Sequence, residues 1–243
     1  MSELIDSTEM YLKTVFEMVE DGVPPLRARI VDRLGHSGPT VSQTVARMER
    51  DGLVEVQSDR QISLSERGSE IATEVMRKHR LAECLLLNVI GLSWEDLHDE
   101  ACRWEHVMSD NVEKALVKLL GDPFSDPYGN PIPGTSCPLR LEKSLVAFIE
   151  EVQGKGLEQP FSARISRVGE PIQAEGGLLA QLREAAILPS VTIEAWVVDG
   201  DFHVVACLGK SDINGGQCGG EHLNRQAVVL SRDLAQHFFV QDL

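Results

Sequence analysis

The sequence lacks the features of membrane and secreted proteins. No stretch approaches the roughly 18 consecutive apolar residues that a membrane-spanning helix needs, and the first ten residues, MSELIDSTEM, have no basic segment followed by an apolar one. The five cysteines include no C-x-x-C pair and do not resemble a disulfide framework. The sequence therefore predicts a cytoplasmic protein with reduced thiols at Cys84, Cys102, Cys137, Cys207 and Cys218.

Positive charge is also scarce, since 23 lysines and arginines stand against 38 aspartates and glutamates, for a formal net charge of −15. This balance argues against a protein that coats nucleic acid without help. The 42% hydrophobic and 25% charged content is ordinary for a globular protein and disfavours disorder.

A segment rich in proline and glycine divides the chain. Residues 121–138, GDPFSDPYGNPIPGTSCP, hold five prolines and three glycines, which neither a helix nor a central strand tolerates. Before this linker the apolar spacing is mostly helical. After it, alternating runs at 192–198 and 202–208 predict strands, and the glycine cluster at 214–220 predicts a hairpin loop.

Two short helices joined by a tight turn are predicted near the N-terminus. The first spans 25–34 and ends at Gly35; the second begins at the N-cap Ser37, has Pro39 in its first turn, and ends at 51–52. Their predicted buried positions are Leu26, Ile30, Leu34, Val41, Val45 and Met48. This helix-turn-helix by itself leaves DNA binding at about even odds.

A predicted hairpin raises those odds. Residues 54–56 and 62–64 alternate apolar and polar side chains across a turn that carries Arg60, as a winged helix requires. Residues 24–60 contain six arginines, no lysine and five acidic residues, a local charge of +1, and arginine suits phosphate and guanine contacts. The residues predicted to contact DNA are Arg27, Ala28, Ser37, Pro39, Thr40, Ser42, Gln43, Arg47, Arg50 and Arg60.

Two further helices carry potential metal ligands. His79 and Glu83 share a face of a helix predicted over 69–90, whose buried positions include Val89. A second helix is predicted to begin at a capping box of Ser93 and Asp96. It carries His98, Cys102, Glu105 and His106 along one stripe, at offsets of 0, 4, 7 and 8. A single helical histidine is usually structural, but imidazole, thiolate and carboxylate together favour a borderline divalent transition metal.

Four segments resemble the diphtheria toxin repressor and iron-dependent regulator family. They are SGPTVSQTVARMERDGL at 37–53, VMRKHRLAE at 75–83, HDEACRWEHVMSD at 98–110 and GNPIPG at 129–134. The resemblance is dense from about residue 4 to 134 and looser beyond the linker.

The resemblance implies a multidomain α+β repressor. Its expected parts are a winged helix-turn-helix domain at 1–73, a helical metal-binding and dimerisation domain at 74–140, and a β-rich SH3-like domain at 141–243. Members of the family are homodimers that bind palindromic double-stranded DNA operators when Fe²⁺ is bound. Two metal sites per chain are expected, with Mn²⁺, Co²⁺, Ni²⁺ and Zn²⁺ as substitutes in vitro, and no catalytic residues.

The resemblance also divides the ligands between the two sites. The regulatory site falls on Met10, Cys102, Glu105 and His106, with the backbone carbonyl of Cys102. The ancillary site falls on His79, Glu83, His98, Glu170 and Gln173. Asp126 stands where relatives carry serine near an anion contact. The residues alone identify six of these nine ligands and do not separate the two sites.

Three alternatives remain open at this stage. A manganese-responsive repressor of the same family is one, although the sulfur atoms of Met10 and Cys102 favour Fe²⁺ over the harder Mn²⁺. A metal-dependent hydrolase is the second; it leaves the winged helix unexplained, and the sequence shows no nucleophile or general base outside the ligand set. The third is a DNA-binding module whose metal is a structural zinc.

Overall fold

The computed structural model describes residues 2–135, 141–207 and 227–243, with side chains from residue 7 onward. This part of the chain forms two compact units. The first comprises residues 2–86, 99–124 and 132–135, and the second comprises 87–98, 125–131, 141–207 and 227–243. No helix among the described residues is long and apolar enough to cross a membrane.

The first unit contains the predicted winged helix. Its elements are α1 (Ser2–Glu20), α2 (Arg27–Leu34), α3 (Gly38–Arg50), β1 (Val54–Val56), β2 (Ile62–Leu64), α4 (Glu66–Leu85), most of α5 (Leu97–Trp104) and α6 (Asp110–Leu119). Helix α2 ends at Gly35, which adopts φ 65°, and the side chain of Ser37 accepts a hydrogen bond from the amide of Thr40 at the start of α3. Strands β1 and β2 pair antiparallel as the wing. The end of α2 at Gly35, the cap of α3 at Ser37 and the hairpin are thus confirmed, whereas α2 begins at Arg27, two residues after its predicted start.

The core of this unit lies between α1, α2, α3 and the wing. Its largest fully buried apolar side chains include Tyr11, Leu12, Met18, Ile30, Met48 and Ile62. Of the six predicted buried positions in α2 and α3, Ile30, Val41, Val45 and Met48 are buried, whereas Leu26 and Leu34 are half-buried. Helix α1 therefore packs in one core with α2 and α3.

Helix α4 differs from its prediction at both ends. It begins at Glu66, where Ser65 caps the amide of Gly68, and ends at Leu85. A single π-helical turn, Leu86–Ile90, follows it. Val89 in that turn is 56% exposed, so its predicted burial is wrong. The domain boundary predicted at residue 73 falls inside α4, so both predicted N-terminal domains contribute to the first unit.

The second unit is built on antiparallel strands. Its elements are a 3₁₀ turn (Trp94–Asp96), β3 (Lys143–Ser144), α7 (Leu145–Gly154), β4 (Phe161–Val168), α8 (Glu170–Gln173), α9 (Leu178–Glu184), β5 (Thr192–Val198), β6 (Asp201–Ala206), β7 (Val228–Leu230), α10 (Arg232–Ala235) and β8 (Phe238–Gln241). In the described residues the strand order is β3-β8-β4-β5-β6-β7. This sheet confirms the β-rich C-terminal region, and β5 has the predicted bounds. Cys137, Cys218 and the cluster at 214–220 lie outside the described residues.

Two local predictions in the second unit need correction or refinement. Ser93 makes no side-chain cap; its hydroxyl donates instead to the carboxylate of Asp96, and a 3₁₀ turn precedes α5. Part of the proline-rich segment is an ordered loop, where Oδ1 of Asp126 accepts the amides of Tyr128 and Asn130 at 2.8 and 2.9 Å. The Asp126 carboxylate thus stabilises the loop conformation of residues 126–130.

Candidate metal centre

Three predicted ligands lie at the C-terminal end of α5. Cys102 is in the last helical turn, but α5 ends at Trp104, so Glu105 and His106 lie in the following turn. The predicted stripe along one helix is therefore wrong for these two residues. The amide of Glu105 still donates to the carbonyl of Ala101 at 3.0 Å, which continues the helical path one residue beyond the helix.

Helix α1 contacts this turn at two points. Oε2 of Glu9 lies 2.7 Å from Nδ1 of His106, and Nζ of Lys13 donates to Oε2 of Glu105 at 2.9 Å. Met10, which is half-buried, lies between these two residues along one turn of α1. The α1 turn that carries Met10 therefore faces the segment that carries the other three predicted regulatory ligands.

Glu105 is the centre of the cluster. It is 3% exposed; its Oε2 lies 2.6 Å from Nδ1 of His79, and its Oε1 lies 3.3 Å from Nε2 of His106. Burial raises the pKa of its carboxyl, but the charges and hydrogen bonds of Lys13 and His79 together outweigh burial and hold that pKa below its usual range. The carboxylate is thus ionised at neutral pH and available as a metal ligand.

His79 and Glu83 lie on α4 at the predicted spacing. Both are fully buried, and Nε2 of His79 lies 2.8 Å from Oε1 of Glu83. The other ring nitrogen of His79 faces Glu105, a member of the predicted regulatory set. The first unit therefore brings the α4 ligands and the α5 ligands together through one carboxylate, which the sequence did not predict.

The donor chemistry fits a borderline divalent transition metal. Thioether and thiolate sulfur from Met10 and Cys102 join carboxylate oxygen and imidazole nitrogen from Glu105 and His106, a mixture that Mg²⁺ and Ca²⁺ do not select. The contact of Nδ1 of His106 with the Glu9 carboxylate leaves Nε2 of the ring towards Glu105. A carboxylate partner on the distal nitrogen is the usual arrangement for a metal-ligating histidine.

Sequence reasoning missed Glu9 and Lys13. Their four-residue spacing puts both on one helical face, and Lys13 is also three residues from Met10; this spacing was the available signal. Charged residues at such positions are usually solvent-exposed, so only the packing of α1 against the α5 turn distinguishes them.

A cavity of about 470 Å³ opens beside the cluster in the first unit. Glu105 and His106 line it together with polar residues of α1, α3, the C-cap of α3, and α4: Thr8, Glu9, Arg47, Asp51, Arg67, Glu74 and Lys78. Two of the predicted regulatory ligands, Glu105 and His106, are thus adjacent to a polar cavity.

The remaining predicted ligands belong to the second unit. Glu170 and Gln173 lie on α8 and are 6% and 5% exposed. Nε2 of Gln173 donates to the carbonyl of Val168 at 2.8 Å, while its Oε1 is buried and accepts no hydrogen bond from the described residues. An amide oxygen in that position is a suitable ligand for a cation. His98, which is 7% exposed, stands at the start of α5.

The predicted DNA-contacting residues lie mostly on an exposed surface of the first unit. The exposed residues are Ala28, Ser37, Pro39, Thr40, Ser42, Gln43, Arg50 and Arg60, whereas Arg27 and Arg47 are half-buried. Arg47 donates to Oγ1 of Thr8 at 3.3 Å, which joins α3 to α1 one residue before Glu9 and two before Met10. Arg60, at the wing tip, adopts φ 69°.

Comparison with known proteins gives consistent matches. Residues 3–62 match the family described as "Iron dependent repressor, N-terminal DNA binding domain", and residues 65–134 match "Iron dependent repressor, metal binding and dimerisation domain". The chain is 50% identical over 219 residues to the iron-dependent repressor IdeR of Mycobacterium tuberculosis, covering 88% of this chain and 94% of that protein. It is 50% identical over 214 residues to the diphtheria toxin repressor of Corynebacterium diphtheriae, covering 88% and 93%.

Solved structures of lower identity share the fold. "Manganese-dependent transcriptional repressor complex with manganese" has a TM-score of 0.74 at 24% identity and covers 97% of this chain and 100% of that one. "Crystal structure of T. acidophilum IdeR" has a TM-score of 0.69 at 23% identity, covering 96% and 97%.

Proposed function

Since this chain belongs to the iron-dependent repressor family, we propose that Fe²⁺ switches on its binding to the operators of iron homeostasis genes. The family consists of transcriptional repressors, so the chain is a DNA-binding regulator and not an enzyme. Its site of action is the cytoplasm, where operator DNA lies. The proposed regulatory ligands are Met10, Cys102, Glu105 and His106.

One observation supports the proposal: the proposed regulatory ligands come from two segments that contact each other. One segment is α1, and the other is the end of α5 with the turn that follows it. Met10 lies on α1, which packs in the core of the winged helix. Cys102 lies on α5, outside that core. Bound iron supplies a divalent charge and coordination bonds to both segments. The ligands then fix α1, and with it α2 and α3, relative to the α5 turn.

The Arg47–Thr8 hydrogen bond supports this coupling, because it joins the recognition helix α3 to the α1 segment next to Met10. A change in the position of α1 therefore reaches the DNA-contacting surface directly. A difference of roughly 3 kcal/mol in DNA affinity between the two states changes operator occupancy about a hundredfold, which is sufficient for a switch.

Two sulfur ligands support iron over manganese. Thioether and thiolate are softer donors than the oxygens that Mn²⁺ prefers, so Met10 and Cys102 favour Fe²⁺. The ancillary set of His79, Glu83, His98, Glu170 and Gln173 stays a prediction from the resemblance, as do the number of sites and the substitution of other metals.

Dimerisation is supported by apolar side chains that stay exposed within residues 65–134. They are Val89, Ile90, Val107, Val112, Leu119 and Phe124. Singly exposed apolar residues are common, but several in the segment matched to a dimerisation domain favour a protein interface. We propose a homodimer on a palindromic operator, whose two-fold symmetry matches that of the protein. Sedimentation of Val89→Lys/Ile90→Lys should give a monomer where the unmodified chain gives a dimer.

An operator gel shift under anaerobic conditions tests the proposed function. Titration with Fe²⁺, Mn²⁺ and Zn²⁺ should give retarded DNA at the lowest free concentration for Fe²⁺, and a chelator should reverse it. Retardation without metal would contradict metal activation. Retardation by Mn²⁺ at much lower free metal than Fe²⁺ would favour the manganese-responsive alternative.

A further inference from the structure

The ammonium group of Lys13 lies inside the cluster of predicted ligands. Lys13 is 4% exposed. Its Nζ lies 2.9 Å from Oε2 of Glu105, 3.2 Å from Nδ1 of His79 and 3.8 Å from Sγ of Cys102. These are one oxygen, one nitrogen and one sulfur, and they come from α4 and from the α5 segment. A cation that belongs to the chain is thus surrounded by donors suited to a metal cation.

Electrostatics explains why lysine is stable there. A carboxylate as deeply buried as that of Glu105 is costly unless a positive charge compensates it. Lys13 contacts Oε2 of Glu105 as a lysine cation, beside the imidazole of His79, which contacts the same oxygen. The buried carboxylate of Glu105 is therefore compensated in part by Lys13.

The same contacts conflict with a bound divalent ion. An ion held by Cys102 and Glu105 would share ligands with the ammonium and would repel it across a short distance in a buried environment. Lysine has a flexible four-carbon stem, so its charged end can withdraw without displacement of α1. The adjacent cavity offers a polar place for it; its lining combines the carboxylates of Glu9, Asp51 and Glu74 with the cations Arg47, Arg67 and Lys78.

We propose that Lys13 is a built-in competitor of the regulatory metal: its ammonium occupies the ligand cluster in the metal-free protein and leaves when the ion binds. This inference rests on the proposed function of the site. Lys13 thereby sets the free metal concentration at which the site fills, since each binding event must first break the Lys13–Glu105 ion pair. Its contacts with Glu105, His79 and Cys102 also stabilise the arrangement of these side chains before a metal ion binds.

Removal of the charge at position 13 tests the competition. Lys13→Met keeps a long unbranched side chain without the ammonium, and Co²⁺ serves as the probe because its absorption bands report binding directly. In competition with a chromophoric chelator, Lys13→Met should bind Co²⁺ about tenfold more tightly than the unmodified chain, as expected for loss of a close like-charge interaction. Equal or weaker binding would overturn the proposal.

Two further variants separate charge from packing. Lys13→Arg keeps a cation and should bind Co²⁺ within a few-fold of the unmodified chain. If Lys13→Arg gains as much affinity as Lys13→Met, then lost packing and not lost charge explains the gain, and the proposal fails. Lys143→Met makes the same change in net charge at a residue that pairs with Glu151 and Asp242, and it should leave Co²⁺ affinity unchanged.

The accessibility of Lys13 can also be measured in the unmodified chain, so this test does not depend on the folding of any variant. Reductive methylation followed by mass spectrometry reports the accessibility of each lysine, and Lys13 should be protected without metal and modified faster with saturating Co²⁺. Equal protection in both states would overturn the withdrawal of the ammonium. The gel shift decides the proposed function separately: metal-dependent retardation with no change of affinity in Lys13→Met would refute only the role of Lys13.

Discussion

Oε2 of Glu105 lies 2.6 Å from Nδ1 of His79, so a residue of the predicted regulatory set contacts a residue of the predicted ancillary set. The resemblance to known regulators assigns these two residues to separate metals. In this structure they share a buried hydrogen-bonded contact, with Lys13 adjacent to both. Any change at Glu105 therefore acts on both predicted sets and on the ion pair with α1.

Cys102 provides the cleaner test of the regulatory site. Cys102→Ala removes the thiolate and leaves the ion pair between Lys13 and Glu105 in place, so the fold should persist while metal-dependent operator binding is lost. Gel shifts with Fe²⁺, together with circular dichroism of the metal-free variant, measure the two effects. Cys84→Ala, a buried cysteine of α4 outside the predicted ligand sets, should retain metal-dependent binding. Unchanged operator affinity in Cys102→Ala would remove Cys102 from the site.

Glu105→Ala should lose metal activation and also destabilise the metal-free protein. It removes the carboxylate that pairs with the Lys13 ammonium. Breaking one partner of a buried pair costs about 3 to 5 kcal/mol, and because the flexible lysine can withdraw towards the polar cavity, the loss should lie at or below the lower end of this range. Urea unfolding of the metal-free chain measures this cost. In the Lys13→Met/Glu105→Ala double variant most of the loss should be recovered, because neither charge remains. A double variant no more stable than Glu105→Ala alone would contradict the buried-pair argument.

The arginine at the wing tip should act through phosphate contacts. Arg60 has positive φ, a conformation that asparagine tolerates well, so Arg60→Asn removes the charge without straining the turn. Operator affinity should fall similarly for all sequences, and the slope of log affinity against log salt should drop by about 0.9 per lost contact. Fluorescence anisotropy at several salt concentrations measures this slope. Arg232→Asn, a change at an exposed ion pair with Glu150, should not alter it.

Gly68 should be required for the close packing of the start of α4 against the backbone of Leu53. A Cβ at this position would lie 1.9 Å from the carbonyl oxygen of Leu53. Relief of this overlap requires a shift of the Leu53 backbone, which is energetically costly. Gly68→Ala should therefore destabilise the first unit by about 1 to 3 kcal/mol, the usual cost of overpacking. Gly38→Ala meets no atom within 4 Å and should be neutral or slightly stabilising. Thermal unfolding of both variants gives the comparison.

Removal of metal should release DNA without unfolding the chain. The apolar core around Tyr11, Met18 and Met48 is complete within the first unit, and Lys13 compensates Glu105 without an ion. After chelator treatment, far-ultraviolet circular dichroism should keep its helical signal while operator binding disappears. Loss of the helical signal would instead favour the structural zinc alternative.

Local patterns predicted much of the first unit. Gly35 and the Ser37 cap defined the helix-turn-helix because left-handed φ and side-chain capping depend on a few neighbouring residues. The wing and the strand at 192–198 followed from alternation for the same reason. Local patterns failed where packing decides: the burial of Val89, the end of α5 before Glu105, and the absence of a cap at Ser93.

The ligands show the same division between sequence and structure. The sequence by itself determined the donor types, the spacing of His79 from Glu83 on one helix face, and the exposed arginine-containing surface, because helical geometry fixes which side chains share a face. Only the tertiary structure placed Glu9 against His106 and Lys13 against Glu105, across 97 and 92 residues of sequence. Contacts over such separations depend on how α1 packs, and that packing is decided by the whole core of the unit and by no local pattern.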